Sequence, residues 1–242
     1  RYPDFTIDWQ QVRKKITDRT RLIILNTPHN PSGAVLREED IQQLREVIAG
    51  RDIHLVSDEV YEHITFDGKP HLSLLRYPDL AAKSFVVTSF GKTYHVTGWR
   101  IGYCIAPRAM MKEFFRIQQF INFSTNTPLQ YALADFMAAC PQHHLDLGGF
   151  YQQKRDLFCR LLAQSRFRLI PPAGTFFQLA DYSAISDEPD SEFVMRLTRD
   201  FKVAAIPVSV FYESPPDQRV IRFCFAKDDD TLRDAAKKLV GL

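Results

Sequence analysis

The stretch "KSFVVTSFGKTYHVTGWRIGYCIAP", residues 83–107, is the most informative about the fold because its two apolar segments flank one lysine, Lys92. "KSFVVTSF" and "WRIGYCIAP" are rich in β-branched and aromatic residues, which is typical of buried strands. Lys92 lies between them among small, aromatic and glycine residues, although most of the 31 Lys and Arg residues of such a chain are solvated surface groups. The rest of the chain decides whether Lys92 is one of these.

The neighbouring segments alternate between strand and helix patterns. "RLIILNTP" and "DIHLVSDEVY" are further short apolar runs, whereas "REEDIQQLREVIAGR" has apolar residues at helical spacing and acids in its first turn. "RAMMKEFFRIQQFINF" also favours a helix, and we expect its aromatic side chains to lie in the core. Strands that are apolar on both faces and separated by helices predict an α/β fold with a mostly parallel sheet covered by helices.

From about residue 146 the pattern changes. "LDLGGFYQQKRDLFCRLLAQS" predicts a long helix, "FRLIPPAGTFFQLADYS" a hairpin, "RVIRFCFA" a strand and "DDDTLRDAAKKLVGL" a terminal helix. We therefore expect two domains. Residues 1–145 form a large domain, and residues 146–242 form a linking helix with a smaller α+β domain.

The composition limits the classes of partner. The 242 residues carry a net charge of +2 with both signs present, which argues against a nucleic-acid partner. The longest apolar runs are far shorter than the roughly 20 residues that span a bilayer, so we expect no membrane partner. Four widely spaced cysteines predict buried free thiols in a cytoplasmic protein. The adjacent His143 and His144 have no acid or cysteine at ligand spacing, so we predict no metal site.

Polar side chains follow the predicted strands where the strands end. In chain order they are Asn30, Asp58 with Tyr61, Ser89 with Lys92, and Arg100. Because active sites of α/β sheets collect at the carboxyl ends of the strands, we expect these side chains to share one rim. Two other interpretations stay open: "NTPHNPSG" also suits an ordinary turn, and a carboxylate of "SDEVY" also suits a helix cap.

These residue types suit one ligand. A lysine amine forms a Schiff base with an electrophilic carbonyl, which an arginine cannot do at neutral pH. The serine and arginine suit a phosphate, the aspartate suits a basic ring nitrogen, and the asparagine and tyrosine suit a phenolic oxygen. Pyridoxal 5'-phosphate (PLP) carries all four groups. Because an aspartate keeps its ring nitrogen protonated, the ring can accept electrons from a carbanion at the α carbon of a substrate.

The chain resembles the class I PLP-dependent aminotransferases of fold type I, and among them the kynurenine, glutamine and methionine aminotransferase branch. The resemblance rests on "NTPHNPSG", "SDEVYE", "SFGKTYHVTGWRIGY" and "IRFCFAK", which occur in the family order, and it extends from "FTIDW" to the last helix. His95 is a departure, because the family usually has a small residue there. His95 either lines the substrate pocket or packs against its neighbours, and we favour packing.

The resemblance implies the catalytic roles. Lys92 is the Schiff-base lysine and carries the proton. Asp58 pairs with the protonated ring nitrogen. Asn30 and Tyr61 donate hydrogen bonds to the phenolic oxygen of the cofactor.

The resemblance also implies the binding roles. Ser89 and Arg100 hold the phosphate. Arg222, in "VIRFCFAK", grips the α-carboxylate of the substrate in a bidentate fork, and Asn30 lies beside the same substrate. Gly174 lies where the small domain approaches the substrate, although a plain turn glycine is an equal alternative.

The activity implied is ping-pong transamination by a homodimer, from methionine, an aromatic or a similar neutral amino acid to a 2-oxo acid. A PLP-dependent β-lyase and a non-catalytic fragment are the alternatives. The fragment is considered because the family has a longer N-terminal part than this chain. We therefore expect the chain to be a fragment that exposes a large apolar surface.

Overall fold

The computed structural model describes residues 3–242, and its first sheet confirms the predicted α/β fold. Three parallel strands lie side by side: β1 (Leu22–Asn26), β2 (His54–Asp58) and β3 (Ser84–Ser89). The fourth strand, β4 (Gly102–Ile105), pairs with β3 in the antiparallel direction. The start of β4 therefore lies at the sheet edge where the other three strands end.

Helices connect and flank this sheet. They are α1 (Trp9–Lys15), α2 (Glu38–Ile48), α3 (Pro78–Ala81), α4 (Phe90–Thr93), α5 (Arg108–Ile121) and α6 (Thr127–Ala139), with single 3-10 turns at Leu74–Arg76 and Thr97–Trp99. Helix α2 forms as its pattern predicts, because its apolar stripe is buried while three acidic residues in its first turn complement the helix dipole. Gly50 has a φ of 67° just after this helix, a conformation that favours glycine.

The second sheet is antiparallel. Its strands, in spatial order, are β5 (Arg168–Ile170), β6 (Phe177–Asp181), β8 (Val220–Cys224) and β7 (Ile206–Pro207). Its helices are α7 (His143–Leu162), α8 (Asp190–Arg196), which runs on into a π-helical turn at Leu197–Phe201, and α9 (Asp229–Val240), with a 3-10 turn at Ser209–Phe211. The division into domains at residue 146 stays a prediction, and α7 begins just before it.

Each sheet has its own apolar core. The larger cluster packs α7, α8 and α9 against β6 and β8, and it includes Phe193, whose ring stacks on Tyr182 at a centroid distance of 4.1 Å. The smaller cluster packs α2 and α3 against β1, β2 and β3, with Ile41 and Leu55 fully buried. Fewer buried apolar side chains therefore pack against the first sheet than against the second.

One side of the first sheet is not covered. Helix α5 has no buried residue, and Phe120 on it is 85% exposed. Ile24 of β1 is 70% exposed, and three of the four residues of β4 are exposed. The expectation that the α5 aromatics lie in the core is therefore wrong for this chain, whereas the expected exposed apolar surface is present. Cys140 is also exposed, which corrects the expectation of a buried thiol there.

The two sheets are joined through a close backbone contact. Gly33, in the loop after β1, accepts hydrogen bonds from the amides of Ala173 and Gly174 at 3.0 and 2.9 Å. A Cβ on Gly174 would lie 2.8 Å from both the Ile64 carbonyl oxygen and the Pro28 Cβ. Gly174 is therefore required by close packing between the two parts of the chain, and it is more than a turn residue.

Over residues 3–242, no helix combines the length and apolar character that a membrane span needs.

Candidate active site

The carboxyl end of β2 places Asp58 at the predicted rim. Asp58 pairs in register with Asn26 of β1 and with Val87 of β3, so it lies in the middle of the sheet. One carboxylate oxygen accepts a hydrogen bond from the Val60 amide at 3.3 Å. Burial raises the pKa of Asp58, although the charge of Lys92 acts in the opposite direction. The carboxylate is therefore only partly compensated and suits a cationic partner.

A path of hydrogen bonds runs from Asp58 to the second sheet. The side-chain amide of Asn26 donates to the main-chain carbonyl of Asp58 at 3.1 Å, and the Asn26 side-chain oxygen accepts from the main-chain amide of Asn30 at 2.8 Å. The Asn30 side-chain oxygen in turn accepts from a guanidinium nitrogen of Arg222. Asn26, to which the sequence interpretation gave no catalytic or binding role, thus links Asp58 to Asn30, and Asn30 in turn contacts Arg222. The position of Asn26 at the last residue of β1 was the available signal.

Lys92 lies on α4, directly after β3. Its ammonium nitrogen is 6.0 Å from the centroid of the Tyr61 ring and 5.9 Å from that of Phe176. The two rings contact each other edge to face at 5.2 Å. Burial raises the pKa of the Tyr61 hydroxyl, which therefore stays protonated and can donate a hydrogen bond. Phe176 is a further site residue that the sequence interpretation missed, although its neighbour Gly174 was considered.

Ser89 and Arg100 reach the same edge from opposite strand directions. Ser89 ends β3 and pairs in register with Gly102, the first residue of β4. A Cβ on Gly102 would lie 2.4 Å from the Thr88 carbonyl oxygen, so this close pairing requires glycine.

In the described part of the chain, the side chains of Ser89 and Arg100 hydrogen-bond to other groups and not to each other. The Ser89 hydroxyl accepts from the Gly91 amide at 3.1 Å, while the exposed Arg100 side chain donates to the Thr97 carbonyl at 3.1 Å. Arg100 has a φ of 57°, in the left-handed region. The antiparallel course of β4 brings Arg100 to the rim, because it precedes that strand, and a parallel strand would have placed it at the opposite edge.

Arg222 on β8 faces the first sheet. Its guanidinium carbon lies 4.0 Å from the Phe177 ring centroid and 5.9 Å from that of Phe211. The Nε atom is buried and has no hydrogen-bond partner among residues 3–242. Burial lowers the pKa of Arg222, since its charge is removed from water. A buried cation with a free donor suits a carboxylate ligand.

His95 packs against other rings, which is the alternative we favoured. Its Nδ1 is 3.1 Å from the Tyr151 hydroxyl, and its ring lies 5.4 Å from that of His143 and 6.1 Å from that of Phe150.

The residues that could hold a small ligand are Asp58 at one end of the site and Arg222 at the other, with Lys92 near the aromatic rings. Such a site can bind a molecule that has both a cationic group and a carboxylate. The amine of Lys92 would lie beside the bound molecule.

Comparison with known proteins identifies the relatives of this chain. Residues 1–239 match the sequence profile of the family described as Aminotransferase class I and II. The chain belongs to this aminotransferase family. A methionine aminotransferase of Escherichia coli (strain K12) is 49% identical over 237 residues, and the human kynurenine--oxoglutarate transaminase 3 is 35% identical over 256 residues.

The fold agrees with those of solved aminotransferases. The crystal structure of YbdL from Escherichia coli, identified with a methionine aminotransferase function, matches with a TM-score of 0.97 at 48% identity. The match covers 100% of this chain and 64% of that one. The two curated aminotransferases are matched over 98% of this chain but over only 61% and 56% of their own lengths. The chain thus spans about three fifths of the length of these relatives.

Proposed function

We propose that the protein is a PLP-dependent transaminase, which moves the amino group of a neutral amino acid to a 2-oxo acid in ping-pong fashion. The observation that carries this proposal is the hydrogen-bonded path from Asp58 through Asn30 to Arg222, with Lys92 beside it. The path ties the end of β2, which carries the Asp58 carboxylate, to the Arg222 guanidinium. Lys92 lies near the Tyr61 and Phe176 rings. One region thus offers a carboxylate for a ring nitrogen, a cation for a substrate carboxylate and an amine.

The residues fit the cofactor on the evidence of their own surroundings. Asp58 is half-buried with an incompletely compensated charge, which a protonated ring nitrogen would offset. Tyr61 and Asn30 would face the phenolic oxygen, and Ser89 with Arg100 would hold the phosphate. When bound, PLP supplies an electrophilic carbonyl and an electron-accepting ring.

The chain's own side chains would orient the substrate and move its proton. Arg222 would bind the α-carboxylate through two parallel hydrogen bonds, and this fixes the position of the α carbon. Lys92, as a free amine, would take the proton from that carbon at Nζ and deliver it to the cofactor on the same face. Phe176 and Phe177, which contact each other at 4.9 Å, would exclude water from this region.

Methionine is the amino donor that we propose first, with aromatic amino acids next. The aromatic rings around Arg222 and Lys92 favour an apolar side chain over a charged one. The methionine aminotransferase function of the Escherichia coli relative supports the same choice.

We also propose that the enzyme acts as a homodimer in the cytoplasm. The uncovered apolar side chains of α5 and β1, among them Phe120 and Ile24, suit a surface that further polypeptide covers. The four free cysteines suit a reducing compartment. Light scattering on the natural full-length protein tests the dimer, and a monomeric mass at micromolar concentration would contradict it.

The test of the activity uses the natural full-length protein with PLP. Methionine and a 2-oxo acid acceptor should yield the oxo acid of methionine, and Lys92→Ala should abolish both this turnover and the visible absorption of the lysine-bound cofactor. Lys238→Ala, at an exposed position on α9, is the matched control and should leave both unchanged. Normal turnover in Lys92→Ala would refute the assignment. Release of ammonia without an acceptor would favour the β-lyase instead.

A further inference from the structure

The helix that carries Lys92 is very short, so it depends on its neighbours. Helix α4 has four residues, and a single turn is not stable by itself because nucleation of a helix is unfavourable. At its start, the Ser89 hydroxyl accepts from the Gly91 amide. At its end, the Tyr94 amide donates to the Phe90 carbonyl at 2.8 Å. The Thr93 carbonyl, next to Lys92, needs a donor from elsewhere in the chain.

His143 supplies that donor. Its Nε2 lies 2.9 Å from the Thr93 carbonyl oxygen. Because a carbonyl only accepts, Nε2 must carry the hydrogen in this contact. The imidazole also stacks on the Tyr94 ring at 5.3 Å with an interplanar angle of 18°, and it meets the Phe136 ring edge-on at 5.3 Å. His143 therefore holds the residues after Lys92 by both a hydrogen bond and a stacked ring.

A second contact ties the same segment to α7. Tyr151 lies further along α7 and is buried. Its hydroxyl shares a hydrogen bond with His95 Nδ1 at 3.1 Å. The rings of His95 and His143 are in edge-to-face contact. The segment from Thr93 to His95 is thus fixed to the long helix at two points, and the long helix belongs to the core of the second sheet.

The neighbouring His144 has a different environment. Its ring meets His63 at 5.0 Å, and it has no hydrogen bond to α4 among the described residues. The two adjacent histidines are both partly buried at the start of α7, yet only His143 contacts the Lys92 helix. His144 is therefore a matched control for His143.

We propose that His143 is a positioning residue for Lys92, which acts by holding the Thr93 carbonyl at the end of the helix that carries the lysine. This proposal rests on the proposed transaminase function. Among the described residues, the hydrogen bond and ring contacts of His143 are to Thr93, Tyr94, His95 and Phe136, and none is to Asp58, Lys92 or Arg222. Loss of its N–H would leave the Thr93 carbonyl without its donor and loosen Lys92, and a small displacement of a reacting group is costly to the rate.

The experiment compares four variants of the natural full-length protein. His143→Phe keeps a ring that can stack on Tyr94 but removes the donor. His143→Gln places an N–H near the position of Nε2, whereas His143→Asn places it near Nδ1. His144→Phe is the control. For each variant we would measure amide hydrogen exchange of residues 90–94 without cofactor, the melting temperature, and kcat and KM for methionine with PLP.

His143→Phe should speed exchange of residues 90–94 and lower kcat about tenfold, with KM within about twofold, because Arg222 still binds the substrate. His143→Gln should be near normal, and His144→Phe should match the parent protein. If His143→Phe does not fold, His143→Asn should show the same defects relative to His143→Gln.

Equal kcat and exchange in His143→Phe and His144→Phe, or in His143→Asn and His143→Gln, would overturn the proposal. Absence of transamination in the parent protein would refute the proposed function instead. The exchange measurement needs neither cofactor nor turnover, so it would still report whether His143 holds the Lys92 helix.

Discussion

The two sheets of this chain differ in how they use burial. Every residue of β6, one of the two central strands of the second sheet, is buried, whereas three of the four residues of β4, at the edge of the first sheet, are exposed. The second sheet lies in the larger apolar cluster and carries one side chain of the proposed site, Arg222. The first sheet carries two others, Asp58 and Lys92, at its rim. Apolar packing is therefore concentrated around the second sheet, whereas most of the proposed catalytic groups lie on the first.

The first sheet also depends on a buried polar cluster. The Glu59 carboxylate, fully buried, accepts hydrogen bonds from the Ser57 hydroxyl at 2.7 Å and the Leu74 amide at 3.1 Å, and lies 2.7 Å from His71 Nε2. Glu59 is adjacent to Asp58, so this cluster anchors the end of β2. The second sheet is held instead by stacked and edge-on aromatic rings such as Tyr182 and Phe193.

The largest effect is expected from truncation of Phe193 in the second core. Phe193→Ala should lower the free energy of unfolding by about 3–5 kcal/mol, because it removes a fully buried ring and leaves a cavity. In the 242-residue chain, whose α5 is uncovered, Phe120→Ala should change it by less than about 0.5 kcal/mol. Urea denaturation measures both values. Similar losses for the two variants would break the contrast between the sheets.

The next effect concerns the one proposed binding residue of the second sheet. Arg222→Lys keeps the charge but loses the fork, so kcat/KM for methionine should fall by about 10- to 150-fold, equivalent to about 1.5–3 kcal/mol for a charged hydrogen bond. The loss should appear largely in KM. Arg219→Lys is the control, since Arg219 pairs with the exposed Asp187 outside the site. Unchanged kinetics in Arg222→Lys would contradict its proposed role.

A third prediction concerns the contact that joins the two sheets. Gly174→Ala should destabilise the protein by about 1–3 kcal/mol, because its Cβ would press on the Ile64 carbonyl. A Cβ added to Gly149, on the exposed side of α7, would meet no neighbouring side chain or segment within 4 Å. Gly149→Ala should therefore stabilise the protein by up to about 1 kcal/mol. Thermal unfolding compares the pair, and a tolerated Gly174→Ala would show that the junction is adaptable.

The smallest effect is the acid sensitivity of the polar cluster. Burial pushes the pKa of Glu59 upward, but the bonds from His71, Ser57 and Ser73 outweigh burial and leave the pKa below 4.5. The stabilisation is therefore complete above pH 4.5 and is lost as the pH falls through the folded-state pKa. Glu59→Gln should flatten the slope of unfolding free energy against pH below 4.5. An unchanged slope would mean that other carboxylates account for the acid response.

Local patterns predicted the elements of this fold well. The strands around Lys92, the helix after "NTPHNPSG" and the hairpin around "PPAG" all form, because the length, the composition and the flanking turn residues of each segment favour one kind of element. The exposure of the α5 aromatics was not predicted. A helical stripe of apolar residues indicates that a face needs a partner, but it does not say which segment covers that face.

The residue types of the candidate site, and the order in which the strands present them, could be predicted from the sequence. The contacts among these residues became clear only in the folded molecule. It showed that β4 runs antiparallel and so brings Arg100 to the rim, that Asn26 links Asp58 to Asn30, and that His143 rather than His144 reaches the Lys92 helix. These contacts join residues far apart in the chain, and spacing along a sequence carries no information about the direction of a side chain in a different element.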